Sequence, residues 1–267
     1  MDDIKSLLKG WHPFVTHKLT LNENNNEWCC ISDFSTFIKE RSGLNEINHN
    51  RIYNMKLCCT KIDGLFLDPQ EIFSFRRIVG EASKREGYLE GPILIKGKLC
   101  FANGGGLCQI STTLFNGALM ANMEILEKHN HSVDIWGENR FIALGRDAVY
   151  AYALKDLKFR NSLNRKVLIK MEVDEINKRV NCRFFSKGSL SYNITIEASI
   201  LKEISPKSGV YDPERKKIKL IKGWEVVTTR FVEENGKKKI TYRSRDIYKP
   251  TVINESIEEE YNCALRP

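Results

Sequence analysis

The chain reads as an α+β protein: a mixed, largely antiparallel and β-rich fold, with one cysteine-bearing helix packed on the sheet and a β-rich C-terminal half. Three observations predict this. Apolar residues recur at helical spacing from Cys108 through Ile110, Leu114, Ala118 and Ala121, with Phe115 and Leu119 widening the stripe. Directly before them stands Gly104-Gly105-Gly106, a run too permissive for a helix or strand interior, which marks a turn or a place where a ligand approaches the backbone. Beyond Trp136 the pattern is mostly that of strands.

Taken in order, residues 2–9 predict a short helix, Asn22–Asn26 a polar loop, and Ser32-Asp33 the cap of a second helix through Ile38 and Glu40. Ile62–Pro69 reads as a turn, a short strand and a second turn, and Phe73 and Phe75 alternate about Ser74 as core residues. Ile93–Ile95 and Leu99–Phe101 form a hairpin through Lys96-Gly97-Lys98, which sets the glycine run at a strand end. The cysteine helix follows, from residue 108 to about 121. After Asn122 the period changes, and Ile125, Glu127, His129, His131, Val133 and Ile135 fall on one side of a strand. Further strands are expected over Val149–Leu154, Lys166–Val173, Val180–Phe185, Tyr192–Ala198, Lys219–Val232 and Lys238–Arg245, with Glu233–Gly236 as a hairpin turn. This last half is expected to supply a sheet and no chemistry. Its charge runs, Glu214–Lys217 and Lys237–Lys239, read as solvated turns.

Chemistry gathers at the glycine run. A cysteine at a helix N-terminus meets unpaired backbone N–H groups and the positive end of the dipole, which favour the thiolate, the reactive form. The same backbone, at Gly105, Gly106, Leu107 and Gln109, is a candidate cradle for a developing oxyanion. A nucleophile of this kind needs a base, and His129 and His131 lie just downstream. A helix from Cys108 to Ala121 rises about 20 Å at 1.5 Å per residue, and a strand from Met123 returns about 20 Å by His129 and about 26 Å by His131. Either imidazole can therefore meet the thiol. Asp147 is a candidate to orient the base, although an aspartate after Gly145-Arg146 is also a common turn residue. Tyr88 and Trp136 are candidates to line a substrate groove, with half-buried packing as the plainer alternative. Ser111 and Thr112, on the first turns of the helix, are the other substrate-binding candidates.

Composition narrows the class. With 267 residues, 42% of them apolar, the chain can bury an ordinary core. Its 42 Lys and Arg exceed 34 Asp and Glu, a net charge of +8 that suits an anionic partner. Basic stripes with interleaved aromatics are missing, so nucleic acid is not expected. No stretch approaches the ~18 apolar residues of a membrane span. No export signal is read near Met1, so the expected location is cytoplasmic, or the cell envelope if a non-classical route exports the chain. The eight cysteines include the adjacent pairs Cys29-Cys30 and Cys58-Cys59, which read as free thiols in a reducing compartment. Neither C-x-x-C nor H-x-x-x-H spacing occurs, and no metal or other cofactor is expected. A Cys108–His129–His131 zinc site is the competing arrangement, and it predicts stoichiometric zinc.

Five motifs in order, Phe73-Ser74-Phe75, Arg85-Glu86-Gly87-Tyr88, Gly104-Gly105-Gly106-Leu107-Cys108-Gln109, His129-Asn130-His131-Ser132 and Gly145-Arg146-Asp147-Ala148, resemble the VanW family. The resemblance runs from about residue 54 to 161 and continues more weakly towards Tyr248. It divides the chain into an N-terminal extension, partly helical, at 1–53, a VanW-like core at 54–161, and a β-rich part of the same domain at 162–267. Gln70 replaces a glycine usual in the family's turn, and Lys128 an arginine. The resemblance implies a bacterial protein of the kind found in glycopeptide-resistance clusters and the cell envelope. It implies L,D-transpeptidase-like acyl transfer between peptidoglycan stem peptides, with Cys108 as nucleophile and His131, which precedes the motif's serine, preferred over His129 as base. The alternative is a non-catalytic accessory protein that binds a cell-wall precursor or another resistance factor.

Overall fold

A computed structural model describes residues 8–11, 13–18, 28–40, 43–95, 98–206 and 218–254. In chain order the elements are β1 (Trp28–Phe37), α1 (Asn45–Ile62), β2 (Phe66–Leu67), β3 (Ile72–Ser74), α2 (Phe75–Val79), β4 (Glu90–Ile95), β5 (Lys98–Asn103), α3 (Leu107–Met120), β6 (Glu124–Glu127) and β7 (Lys158–Arg160). There follow β8 (Val167–Asp174), β9 (Arg179–Lys187), β10 (Asn193–Ile204), β11 (Ile218–Ile221), β12 (Gly223–Glu234), β13 (Lys237–Tyr248) and β14 (Thr251–Asn254). The protein is α+β and β-rich, as its pattern predicts. The expected helix at 2–9, apart from residues 8 and 9, the loop at 22–26, the turn residues 96 and 97 and the charge run at 214–217 lie outside the described residues.

Antiparallel strands in the order β1-β9-β8-β2 form the main sheet; α1 packs against β8, and α3 against β1 and β9. A second, three-stranded sheet runs β3-β7-β6. Between them the core is aromatic: Phe73 stacks on Phe159 with ring centroids 4.7 Å apart, and Phe159 meets Phe184 at 6.0 Å. Phe73 and Phe75 are both fully buried, although Phe75 begins α2 instead of continuing the strand. β10, β12 and β13 make a third sheet, with the β12–β13 turn at Asn235-Gly236, both in the left-handed region that such a two-residue turn needs. From that sheet the buried Arg230 guanidinium donates to the carbonyls of Leu119 and Met123, at 3.1 and 2.8 Å. It thereby adds a donor to the Leu119 carbonyl at the end of α3, which also accepts from the Asn122 N–H at 3.2 Å.

The largest departures from the sequence pattern lie in the first sixty residues. Ser32 and Asp33 do not cap a helix: they sit in β1, whose buried face carries hydroxyls and whose Phe37 is 54% exposed. Ser32 Oγ donates to the Gly117 carbonyl at 2.9 Å, and Thr36 Oγ1 lies 2.7 Å from Thr113 Oγ1. The strand is thus held to α3 by hydrogen bonds, and its polarity pattern is inverted. Four further expectations are corrected. The strand expected through Ile135 ends at Glu127, because the His131 N–H is taken by Asp147 and the Asn130 side chain binds neighbouring carbonyls. Val149–Leu154 makes only a bridge between Ala151 and Lys155, closed by a left-handed Ala153. Lys219–Val232 is two strands, broken at Lys222, which pair with β14 and with β10 and β13 respectively. Lys237–Lys239 opens β13 instead of forming a turn, with its side chains exposed.

The glycine run is a turn from β5 into α3, with Gly104 and Gly106 at φ 86° and 106°. Gly105 is there for another reason. A Cβ on it would lie 2.5 Å from Gly91 C, 2.7 Å from Gly91 Cα and 2.7 Å from Pro92 N, all backbone atoms. The run packs against its own hairpin, so the close approach is to protein. Asn54 of α1 locks it: its amide donates to the Leu89 and Gly105 carbonyls at 2.8 and 3.2 Å, and its carbonyl accepts from Leu89 N–H at 2.8 Å. Gly105→Ala is expected to cost about 3 kcal/mol or more, since the backbone cannot step aside as a side chain would. Urea denaturation measures it; a loss under about 1 kcal/mol would contradict this packing.

Candidate active site

Cys108 stands in the first turn of α3, partly buried, with its thiol 3.6 Å from the Tyr150 carbonyl oxygen. The His131 imidazole lies beside the same sulfur and bears on its charge. On the far side of the ring, Nδ1 lies 2.6 Å from Asp147 Oδ2, which also accepts from the His131 backbone N–H at 2.8 Å. His131 and Asp147 are 7% and 5% exposed, so water does not compete for these bonds. Trp136 closes one side of the imidazole edge-to-face, with centroids 5.0 Å apart.

Charge follows from this geometry. Burial pushes the Cys108 thiol up, but the neighbouring His131 imidazole outweighs it and holds the thiol below its ordinary value. Burial pulls His131 down, yet the Asp147 carboxylate and the Cys108 sulfur hold it up at about 9. Asp147, which burial would raise, is held down at about 2 by the His131 bonds and by the charges of His131 and Lys128. Thiolate and imidazolium stabilise one another, with the carboxylate behind them. The Tyr150 carbonyl is the competing acceptor for the thiol proton.

Local sequence builds each part. Thr112 Oγ1 accepts from Ala148 N–H at 3.0 Å, and Ser111 Oγ donates to the Ala148 carbonyl at 2.5 Å, so helix α3 holds the segment that carries Asp147. Asn116 extends the clamp, donating to the Arg146 carbonyl at 2.8 Å. Ser111 and Thr112 are therefore fully buried and turned to the protein, which corrects the expectation that they bind substrate. Tyr88 is also corrected: at 1% exposure, with Lys61 over its ring at 5.2 Å, it presents no groove surface. His129 is 38% exposed on its side chain and sits 3.1 Å from Glu127 Oε1, away from the cysteine. The two histidines part because the strand ends before them. Among the described residues no group of three His, Cys, Asp or Glu is arranged to hold a metal ion.

Within the glycine turn, Leu107 N–H donates to Gly104 O at 3.3 Å and Gln109 N–H to Gly106 O at 2.9 Å. These two expected oxyanion donors are engaged. Gln109 is instead structural, its amide donating to Thr36 Oγ1 and the Phe37 carbonyl at 3.1 and 2.8 Å and its oxygen accepting from Arg51.

The β-rich half was expected to carry no chemistry, and it reaches the site. Tyr248, the last residue of β13, donates from its hydroxyl to Asp147 Oδ1 and accepts from Gly145 N–H at 2.7 Å. Two residues earlier, Asp246 forms a buried ion pair with Lys128 at 2.6 Å. His131, Trp136, Asp147 and Tyr248 border a small cleft behind the imidazole, with Asp134 and Arg140 beyond them. Spacing did not signal these residues, because a sequence separation of about 100 carries no period.

Residues 50–185 match the family described as VanW like protein. Over 126 residues the chain is 35% identical to the uncharacterized protein YoaR of Bacillus subtilis, covering 47% of this chain and 40% of that protein. Over 197 residues it is 29% identical to the vancomycin B-type resistance protein VanW of Enterococcus faecalis, covering 72% of this chain and 70% of that one. The chain thus spans less than half the length of the Bacillus protein. No solved structure matches it. Among the described residues no helix is long and apolar enough to cross a membrane. Cys108, His131 and Asp147 all fall inside the matched stretch, and with just over half of its residues there, the chain belongs to the VanW family.

Proposed function

We propose that the chain is a cysteine acyltransferase of the L,D-transpeptidase kind, acting on peptidoglycan stem peptides. What supports this reading is the juxtaposition of Cys108, at the start of α3, with a His131 imidazole that Asp147 holds at 2.6 Å and that keeps the thiol below its ordinary value. The thiolate attacks a stem-peptide carbonyl, the C–S bond forms, and the peptide C–N bond breaks as His131 hands its proton to the departing amine. An acceptor amine from a second stem then attacks the thioester, giving its proton to His131, and the sulfur leaves as thiolate. Cys108 N–H, in the first turn of α3, joins Gly105 and Gly106 as a candidate donor to the oxyanion. The reading is consistent with the resistance role named for the Enterococcus relative and with the chain's net positive charge.

Intact-protein mass spectrometry after incubation with a disaccharide-free tetrapeptide stem tests it. The expected result is a mass increase equal to the donor acyl group, mapped to Cys108 and removed by added amine. Label on another residue, or turnover that persists at full rate in Cys108→Ala, would end the proposal.

A second reading, an accessory protein that binds a cell-wall precursor without turnover, is favoured by one observation: the cleft at His131 does not include Cys108 among its lining residues. Thiol labelling separates the two. Selective modification of Cys108 near neutral pH belongs to the enzyme, and equal modification of several cysteines to the accessory.

A further inference from the structure

The β12–β13 hairpin lies wholly beyond the residues matched to the family, yet it ends against the catalytic carboxylate. We infer that Tyr248 is a positioning residue for the His131–Asp147 pair, so that this hairpin belongs to the site and does not merely flank it. The inference rests on the proposed role of His131 as the proton-transfer group.

A buried carboxylate has two oxygens to satisfy. Oδ2 of Asp147 takes both His131 donors, at 2.6 and 2.8 Å. That leaves Oδ1, which receives the Tyr248 hydroxyl proton. The direction of this proton is fixed, because Gly145 N–H donates to the same hydroxyl oxygen at 2.7 Å and occupies a lone pair that faces it. The carboxylate is thereby held at three points, and its plane cannot turn away from the imidazole. Burial together with the Asp147 charge pushes the Tyr248 phenol far up, so it stays a donor throughout the working pH range.

The charged and titratable groups that face Asp147 come from three elements: Cys108 from α3, His131 and Lys128 from the segment after β6, and Tyr248 and Asp246 from β13. Arg146 is adjacent in sequence but is turned to Asn116. Lys128 supplies a further positive charge, and it is paired with Asp246 at 2.6 Å. Removing the Tyr248 hydroxyl therefore takes away a donor that nothing else replaces. The sign follows directly: the donor stabilises the ionised carboxylate, and its loss raises the pKa of Asp147.

Proton NMR of the full chain tests this. The His131 Nδ1–H, bonded to a buried carboxylate, gives a resonance far downfield of the amides that vanishes when Asp147 is protonated. In the unsubstituted protein the midpoint of its loss should lie near the Asp147 value of about 2. In Tyr248→Phe the midpoint of its loss should rise by about one to two pH units, the worth of one hydrogen bond to a charged group. Tyr242→Phe, on the same strand but packed on Phe115, should leave it unmoved. An unchanged midpoint in Tyr248→Phe would overturn the inference. A second measurement needs no substitution: the Tyr248 hydroxyl proton should itself appear as a slowly exchanging resonance with a nuclear Overhauser contact to the His131 ring. Its fast exchange would equally overturn the inference. Neither measurement involves acylation of Cys108, so failure of the acyltransferase proposal would show separately, in the mass spectrum.

Discussion

Cys108→Ala is expected to lower the proposed acyl transfer by about a thousandfold or more, because the substitution removes the sulfur on which the proposed covalent intermediate forms. The fold should survive. Cys108 is partly exposed, its thiol has one long contact to a backbone carbonyl, and alanine is the best helix former at a helix start. Cys108→Ser separates the parts further. It keeps shape and hydrogen bonding, but a hydroxyl is far harder to ionise than a thiol, so serine should be nearly as inactive as alanine. Comparison of initial rates of cross-linked dimer formation, at matched thermal stability, checks both. Activity retained by the serine variant within about tenfold would mean that ion-pair formation with His131 is not what drives the step, and the thiolate argument would fail.

This site was only partly legible in the sequence, and the reason is physical. Cys108 was visible because glycine and helix patterns are local, and both change at one point. His131 and Asp147 were candidates by proximity, but no spacing distinguished His131 from His129: that depends on β6 stopping at Glu127, a consequence of where Asp147 lies. Tyr248 and Asp246 are joined to the site only through the third sheet. Ser111 and Thr112 show the opposite error. Hydroxyls beside a candidate nucleophile resemble ligand donors in sequence, but a helix buried on every side spends them on its own neighbours.

The fold shows the same division. Strands of the C-terminal half alternate apolar and polar residues against a single core face, and most were expected within a few residues of their place. By contrast, α1 places Asn48 and Asn54 among its six buried residues, so the apolar stripe of its inner face, Met55, Cys58, Cys59 and Ile62, covers only its C-terminal half. Asn54 occupies a core position because the glycine turn leaves carbonyls that need a donor. Thus the residue that blurs the helix pattern is the one that shapes the entrance to α3. β1 was hidden likewise, since Ser32 and Thr36 face inward while Phe37 faces out.

Asp147→Asn should produce the second large effect, on stability as well as turnover. His131 titrates at about 9 against an ordinary 6.5, so its contribution to stability is complete below about 6.5 and is lost as the pH rises through 9. Asp147 titrates at about 2 against 3.8, so its contribution is complete above about 3.8 and is lost as the pH falls through 2. Both are complete only between pH 3.8 and 6.5. The asparagine variant keeps the volume but leaves any imidazolium without its counter-charge and Lys128 with Asp246 alone, and it offers an N–H₂ where Tyr248 or His131 expects an acceptor. Breaking a buried pair in this way costs about 3–5 kcal/mol. That loss should be greatest inside the window and shrink beyond either edge, so the pH dependence of the variant is flatter than that of the parent. Turnover should fall by about a thousandfold or more, since the imidazole is no longer held in the tautomer that faces sulfur. Urea denaturation from pH 3 to 10 measures the first effect. A loss independent of pH would show that Asp147 acts through packing alone, and the electrostatic account of the His131–Cys108 pair would have to be abandoned.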